Sequence, residues 1–268
     1  MEQPVVSGEE ISERAILAEQ VAVAAGRLAA QFFGDRALAI ETKGRQDFVS
    51  EADRAVERLI RAEIAGRYPD DGLYGEELGW QRGGSDRTWL FDPIDGTTCF
   101  LSGLRTWVIS MAVIVEGRVE VAVIHDPLAG ETFSARRGGG ARLNGEPLPS
   151  LVGPDGQGLG DGLFGMGISH RSDLAAYGAL VTELLEAGGM PYRNGSGAHM
   201  LAQVAAGRLV GYYEPHMQPW DSLAGLLLVA EAGGSVEPLD TATALERGGL
   251  VFCGAPAAFT AMRGLLAL

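Results

Sequence analysis

A chain of 268 residues with 46% hydrophobic residues is long enough to bury a sizeable core, as one large domain or two small ones. The formal net charge of −14 gives a surface that repels nucleic acid and anionic membranes, so we expect neither as a partner. Two cysteines, Cys99 and Cys253, are too few for a disulfide framework, and their apolar neighbours favour buried thiols. The N-terminus lacks the pattern of a signal peptide and the apolar runs are too short to span a bilayer, which favours a cytoplasmic protein.

The first half of the chain predicts helices packed on an antiparallel sheet. Apolar residues at helical spacing predict a helix from Glu9 to Phe33 and a second one that follows Ser50 and stops before Gly66. Runs rich in Val, Ile, Thr and aromatic residues then predict strands at residues 88–92, 108–116, 118–125 and 131–136. Turns are indicated at residues 116–117, 138–140 and 144–145.

A Gly- and Pro-rich stretch at residues 151–161 marks a boundary between two halves. We therefore predict an N-terminal α+β half over residues 1–150 and a C-terminal α/β half over residues 151–268. Beyond the boundary strands and helices alternate, which predicts a largely parallel sheet. The strands are predicted at residues 162–168, 190–194, 209–214, 234–237 and 250–253, and the helices at 173–186, 198–206, 222–232 and 257–266.

Three short stretches carry carboxylates beside apolar sequence that buries them. They are Gly-Glu-Glu at residues 75–77, Asp-Pro-Ile-Asp-Gly-Thr-Thr at 92–98, and Trp-Asp-Ser at 220–222. Each alone has an ordinary explanation: a solvated acidic pair, a capped turn and a helix N-cap. Together they predict a carboxylate cluster. Hard oxygen ligands without His or Cys select Mg²⁺, Mn²⁺ or Ca²⁺ rather than zinc.

The stretch at residues 92–98 combines features of a metal site and a phosphate site. A buried strand ends at Asp92, and Pro93 cannot continue a central strand. Asp92 and Asp95 stand three residues apart at the end of this strand, where both can converge on one cation. Thr97 or Thr98 can cap the next helix, whose N–H groups and dipole suit a phosphate. The sequence thus predicts a cation and a phosphate side by side.

The ordered set of motifs resembles the inositol monophosphatase family of lithium-sensitive, magnesium-dependent phosphatases. The resemblance covers nearly the whole chain, and besides the three stretches it includes residues 47–53, 89–91, 135–141, 144–145, 195–197, 213–214 and 231–234. It implies a layered α-β-α-β-α sandwich of the inositol monophosphatase and fructose-1,6-bisphosphatase type. It also implies a homodimer, two or three Mg²⁺ ions and a small phosphate ester as substrate.

The resemblance implies a role for each matching residue. The implied metal ligands are Glu76, Asp92, Asp95, Asp221 and the carbonyl of Ile94. Thr97, paired with Asp53, would orient the attacking water together with the cation on Glu76, and the N–H groups of Gly96 and Thr97 would hold the phosphate. The implied substrate-binding residues are Asp95, Gly195, Ser196, Gly197, Glu214 and Asp221. Lys43 resembles a lysine near the phosphate.

Two departures from the family pattern leave the substrate open. Cys99 stands where the family usually has Asn, and we expect it to be a small buried packing residue. Residues 102–107 are closer to the histidinol-phosphate phosphatase branch. The first hypothesis is therefore a phosphatase of inositol 1-phosphate or of polyol phosphates broadly. The second is a phosphatase of histidinol phosphate, or of a bisphosphate such as fructose 1,6-bisphosphate or a 3′-phosphonucleotide.

A third hypothesis is a non-catalytic regulatory protein that keeps the fold. The complete set of predicted metal ligands argues against this hypothesis. The four histidines do not offer a competing metal site, because they show no ligand spacing; they are His125, His170, His199 and His216. We expect them at the surface or in the core, with His216 near enough to Glu214 to line the site.

Overall fold

The computed structural model describes residues 7–35, 40–44, 47–152, 157–169 and 172–266. The side chains of residues 40–44 and 47–49, including that of Lys43, lie outside the described part, as does His170. Within the described ranges, none of the helices combines the length and the apolarity needed to cross a membrane.

Two N-terminal helices form where the apolar period predicts them. Helix α1 (Gly8–Phe32) begins after Ser7, whose hydroxyl accepts the N–H of Glu10. Strands β1 (Ile40–Gly44) and β2 (Asp47–Ser50) form an antiparallel hairpin, and α2 (Glu51–Arg67) follows directly. A capping box between Ser50 and Asp53 starts α2.

The chain then builds an eight-stranded sheet. Its strands are β3 (Gly72–Gly75), β4 (Gly79–Gln81), β5 (Arg87–Asp95), β6 (Val108–Val115), β7 (Arg118–Asp126), β8 (Glu131–Arg136), β9 (Ala141–Leu143) and β10 (Glu146–Pro147). The strand order is β10-β9-β8-β7-β6-β5-β3-β4, and every neighbouring pair is antiparallel except β3 and β5. The turns at residues 116–117 and 144–145 have positive φ at both positions, as hairpin turns of the I′ type require.

The second half forms a five-stranded sheet with helices. A 3₁₀ turn at Leu159–Asp161 precedes this sheet. One short helix, α3 (Thr97–Leu101), belongs to the first half and follows β5. The remaining elements are β11 (Leu163–Met166), α4 (Leu174–Glu186), β12 (Met190–Tyr192), α5 (Gly197–Ala205), β13 (Gly211–Met217), α6 (Pro219–Glu231), β14 (Ser235–Val236), α7 (Thr241–Arg247), β15 (Gly249–Gly254) and α8 (Pro256–Leu266).

The second sheet differs from the predicted largely parallel one at a single strand. Its order is β12-β11-β13-β15-β14, and β11 is parallel to both β12 and β13. Strand β15 is antiparallel to β13 and to β14, between which it is inserted. Alternating helices and strands predict crossover connections, but they do not fix the direction of a strand that returns through a short helix such as α7.

The layers follow the order α-β-α-β-α, which confirms the expected fold. Helices α1 and α2 cover one face of the large sheet, α5 and α6 lie between the two sheets, and α4 and α8 cover the outer face of the small sheet. Each sheet is built from one predicted half, while the largest core is shared between them. The division near residue 150 stays a prediction. The N-termini of α5 and α6 both lie beside the end of β5.

Candidate active site

The acidic motifs meet at one end of the large sheet. Glu76 directly follows β3, and the parallel strand β5 ends at Asp95, so their carboxyl ends point the same way. Asp92 pairs with Ser110 and Asp95 with Val108, which leaves one extra residue on β5. This bulge contains Pro93 and turns the strand at the point where its carboxylates are needed.

Glu76, Asp92 and Asp221 form a cluster. One carboxylate oxygen from each lies within 4.8 Å of the others. Burial raises the pKa of Asp92 well above its ordinary value, and the neighbouring carboxylates raise it further. Burial is also the largest cause that raises the pKa of Asp221, followed by the charge of Asp95. Buried carboxylates that repel one another are stabilised by a cation, and an all-oxygen donor set suits Mg²⁺, Mn²⁺ or Ca²⁺.

Asp95 lies beside this cluster and is held by the start of α5. Its Oδ2 atom accepts hydrogen bonds from Ser196 Oγ at 2.5 Å and from the N–H of Ala198 at 2.7 Å. Burial raises the pKa of Asp95, while these hydrogen bonds oppose the rise. The contact joins residues 101 positions apart and attaches the end of β5 to the second half of the chain.

Thr97 and Asp53 come together as expected, 44 positions apart in sequence. Thr97 Oγ1 lies 3.4 Å from Asp53 Oδ1 and 3.1 Å from the carbonyl oxygen of Ile94. The other oxygen of Asp53 accepts the N–H of Ser50 at 2.8 Å. Gly96, between these residues, has a φ of 95°, and a Cβ there would lie 2.8 Å from the carbonyl oxygen of Thr106. Only glycine fits this turn without strain.

A cleft of about 710 Å³ reaches the acidic residues at Asp95 and Asp221. All six predicted substrate-binding residues line it, namely Asp95, Gly195, Ser196, Gly197, Glu214 and Asp221. The remaining lining is mixed and consists of Thr98, Cys99, Met166, Gly167, Ile168, Ser169, Ser172, Leu174, Arg193, Met200, Tyr212 and Met217.

Glu214 stands on the wall of this cleft contributed by β13. The hydroxyl of Tyr212 donates a hydrogen bond to Glu214 Oε2. Burial raises the pKa of Glu214 to about 7, and the Tyr212 hydrogen bond and the charge of Arg193 oppose that rise. Arg193 is exposed, and its Nη2 atom lies 3.5 Å from the carbonyl oxygen of Ile168. The sequence analysis singled out neither Tyr212 nor Arg193.

Comparison with known proteins decides the family. A sequence profile described as the inositol monophosphatase family matches residues 10–262. The chain belongs to the inositol monophosphatase family. It is accordingly a phosphatase that hydrolyses phosphate monoesters.

Three relatives show the range within the family. An inositol-1-monophosphatase of Rhizobium meliloti (strain 1021) is 40% identical over 243 residues, which cover 88% of this chain and 89% of the relative. The Nus factor SuhB of Escherichia coli (strain K12) is 41% identical over 197 residues, 72% of this chain and 73% of that protein. A histidinol-phosphatase of Chlorobaculum parvum is 36% identical over 218 residues, 81% and 83% of the two chains.

The fold agrees with solved structures of the family. The crystal structure of extragenic suppressor protein suhB from Bartonella henselae superposes with a TM-score of 0.87 at 31% identity. It covers 94% of this chain and 97% of its own. An inositol monophosphatase structure from Thermotoga maritima gives 0.82 at 30% identity, with 95% and 97% covered.

Cys99, where the family usually has Asn, has the packing role that we expected. It is buried, and its thiol lies 3.2 Å from the carbonyl oxygen of Asn194. A Cβ on Gly195, whose φ is 90°, would lie 2.5 Å from the Cys99 sulfur. Cys99 therefore supports the loop that leads into α5. Cys253 is also a free, buried thiol.

The three described histidines have structural contacts outside the acidic cluster. The Nδ1 atom of His125 lies 2.9 Å from Thr132 Oγ1, and His199 Nδ1 lies 2.6 Å from the Asn194 side chain. His216 Nε2 lies 2.8 Å from the carbonyl oxygen of Arg247. His216 is not among the residues that line the cleft, so the expectation that it contributes there is wrong.

Sequence analysis missed one buried acid next to the site. Glu57 on α2 is fully buried and contacts the turn that carries Glu76. It stands four residues after Asp53 and four before Arg61, so the three share one helix face. An acid inside the apolar face of a helix was the available signal, because such an acid needs a partner.

Proposed function

We propose that this chain is a Mg²⁺-dependent phosphatase of small polyol phosphates, with inositol 1-phosphate as its substrate. The observation that carries the proposal is the convergence of Glu76, Asp92 and Asp221 within 4.8 Å, next to a cleft that Asp221 and Glu214 both line. The inositol-1-monophosphatase among the relatives supports this substrate.

The carboxylates are the groups that would bind the metal ions. Glu76, Asp92 and Asp221 would hold one cation, and Asp95 with the carbonyl of Ile94 would extend the site to a second or third. Bound Mg²⁺ would neutralise phosphate charge and lower the pKa of a water molecule. Mn²⁺ or Ca²⁺ also suits these ligands.

Thr97 and Asp53 would orient the attacking water. Asp53 Oδ1 accepts from the Thr97 hydroxyl, which leaves the Thr97 oxygen lone pairs to accept a hydrogen bond from water. The N–H groups of Gly96 and Thr97 would face the phosphate at the start of α3. Together these groups align water and phosphorus, which is the main requirement of phosphoryl transfer.

The wall of the cleft around Glu214 favours an uncharged alcohol over a cationic one. Glu214 and residues 195–197 offer hydrogen-bonding groups to hydroxyls. Arg193 lies close enough to Glu214 to lower its pKa, and its positive charge would repel the amine and imidazolium of histidinol phosphate. Histidinol phosphate stays the second candidate, because one relative is a histidinol-phosphatase and residues 102–107 resemble that branch.

A substrate panel tests the proposal. Phosphate release with Mg²⁺ would be compared for inositol 1-phosphate, histidinol phosphate, fructose 1,6-bisphosphate, a 3′-phosphonucleotide and p-nitrophenyl phosphate. We expect the highest kcat/KM for inositol 1-phosphate. A higher value for histidinol phosphate would assign the chain to the other branch, and no turnover of any ester would favour a regulatory protein.

Arg193→Gln sharpens this comparison. Loss of the charge should raise kcat/KM for histidinol phosphate roughly 2- to 5-fold relative to inositol 1-phosphate, the range of an exposed charge pair. Arg142→Gln is the matched control, because Arg142 also donates from an exposed guanidinium to a carbonyl, that of Gly145, but outside the cleft. It should leave the ratio unchanged.

The proposal also includes a homodimer, a cytoplasmic location and inhibition by lithium, all of which the family resemblance implies. Size-exclusion chromatography with light scattering tests the dimer. Phosphate release with increasing Li⁺ at fixed Mg²⁺ tests the inhibition.

A further inference from the structure

A buried ion pair lies under the turn that carries Glu76. Glu57 is fully buried, and its Oε1 atom accepts a hydrogen bond from Arg61 Nε at 2.8 Å. The same oxygen accepts the N–H of Leu78 at 3.0 Å, and Oε2 accepts the N–H of Glu77 at 2.8 Å. Both oxygens of Glu57 therefore bind the backbone that immediately follows Glu76.

Arg61 holds the far end of the same turn. Its Nη2 atom donates to the carbonyl oxygen of Gly79 at 2.5 Å, and its guanidinium lies 5.5 Å from the centroid of the Phe91 ring. Phe91 immediately precedes Asp92. On the other side of Glu76, a Cβ on Gly75 would lie 2.4 Å from both Glu57 Oε1 and the Phe91 ring. The turn is thus fixed against α2 on both sides of Glu76.

We propose that Glu57 and Arg61 are positioning residues that set the carboxylate of Glu76 for metal binding. A buried charge is unfavourable unless it is paired and hydrogen-bonded, and Glu57 is paired with Arg61 and hydrogen-bonded to the backbone of this turn. Asp53, one helical turn earlier, accepts a hydrogen bond from the hydroxyl of Thr97 at 3.4 Å. One face of α2 thereby supports both the predicted metal ligand and the water-orienting pair. This inference rests on the proposed metal dependence.

The competing explanation is that the ion pair only stabilises the fold. Asp71 and Arg14 provide a matched control, because Asp71 is also a buried acid whose Oδ2 lies 3.0 Å from Arg14 Nε. Asp71 Oδ2 also accepts from Trp89 Nε1 at 2.9 Å. Asp71 lies directly before β3, whereas Glu57 contacts the turn directly after β3. The two buried acids, Asp71 and Glu57, therefore lie at opposite ends of one strand.

The test compares Glu57→Gln with Asp71→Asn in the full chain after metal removal. Mn²⁺ serves as the probe, with binding followed by electron paramagnetic resonance and unfolding by calorimetry. We expect both variants to unfold at lower temperature than the wild type. Only Glu57→Gln should bind Mn²⁺ more weakly, by about 10- to 100-fold, the usual effect of losing a residue that orients a metal ligand. The Mg²⁺ concentration for half-maximal phosphate release should rise in parallel.

A folded Glu57→Gln variant with the wild-type affinity for Mn²⁺ overturns the inference, as does an equal loss of affinity in Asp71→Asn. Arg61→Lys keeps the positive charge but loses the planar guanidinium, which donates to both Glu57 and Gly79. This variant is used in place of Glu57→Gln if Glu57→Gln does not fold. Weaker Mn²⁺ binding in Arg61→Lys supports the inference, and unchanged binding overturns it. A wild-type chain that binds no Mn²⁺ overturns the proposed function as well.

Discussion

Asp92 is the most buried carboxylate of the cluster, with 2% of its surface exposed. Its Oδ1 atom accepts the N–H of Ile94 at 2.8 Å, a bond that Asn at this position would keep. Asp92→Asn should therefore fold, and the metal-free variant should unfold at a temperature no lower than wild type because one repelling charge is removed. We expect kcat to fall at least about 10²-fold, since charge stabilisation of the transition state weakens. A near-wild-type rate that still requires metal would mean that the cation binds elsewhere.

Glu214 tests recognition of the alcohol. In Glu214→Gln the amide oxygen still accepts from Tyr212, so the wall of the cleft should persist. The loss of about 1 kcal/mol in binding free energy should raise KM for inositol 1-phosphate roughly 5-fold, with a smaller fall in kcat. For histidinol phosphate the loss should reach about 1.5–3 kcal/mol, because there the charge itself matters. Equal effects on p-nitrophenyl phosphate, which offers no hydroxyls, would remove Glu214 from substrate recognition.

At the scale of elements, the turn between β5 and α3 connects the two halves of the site. In Gly96→Ala the new Cβ would lie 2.8 Å from the Thr106 carbonyl oxygen and 2.9 Å from the Cβ of Ser196, which holds Asp95. We expect a loss of about 1–3 kcal/mol in stability from the unfavourable φ, and a loss of kcat. Gly103→Ala is the control, because its φ is 72° but nothing lies within 4 Å of a Cβ there. Gly103→Ala should lose stability and keep kcat; an equal loss of kcat in both variants would contradict the role of the Gly96–Ser196 contact.

Long periodic elements could be predicted from the sequence, whereas short ones could not. The strand at Glu131–Arg136 was predicted at its observed bounds, and the major helices were predicted within a few residues. The strands at Gly72–Gly75 and Gly79–Gln81 were missed, because four and three residues with several glycines give no period. The end of β5 was placed at Asp92 rather than Asp95, because Pro93 sits in a bulge that pairing with β6 accommodates.

At the scale of the whole molecule, the site joins both sheets. Predicted site residues could be named from motifs, but their contacts depend on tertiary packing, as with Asp95 and Ser196. Glu57 was missed in the sequence analysis for the same reason. Nothing in the sequence around it indicates that its partners are the backbone N–H groups of Glu77 and Leu78, 20 and 21 residues further along the chain. The antiparallel direction of β15 departs from the predicted largely parallel sheet, because the alternation of helices and strands does not fix the direction of a strand that follows a short helix such as α7.

The acidic cluster predicts how stability depends on pH. The pKa values of Asp92, Asp221 and Glu214 are raised on folding, so above the ordinary carboxyl range the folded chain holds more protons than the unfolded chain. The stability that these groups contribute is present at low pH and is lost as pH rises through the raised values. Between about pH 6 and pH 8 the metal-free chain should therefore show a falling Tm, and saturating Mg²⁺ should raise Tm most at the higher pH. A metal-free Tm that rises over this interval would contradict the assignment.

In the proposed function the carboxylate cluster works through a bound cation. The most direct measurement is phosphate release from inositol 1-phosphate by a chain stripped with EDTA and verified metal-free by elemental analysis, before and after Mg²⁺ is restored. We expect no turnover without metal and saturable recovery with Mg²⁺, because Glu76, Asp92 and Asp221 alone cannot neutralise a phosphate. Full turnover by the verified metal-free chain would contradict it.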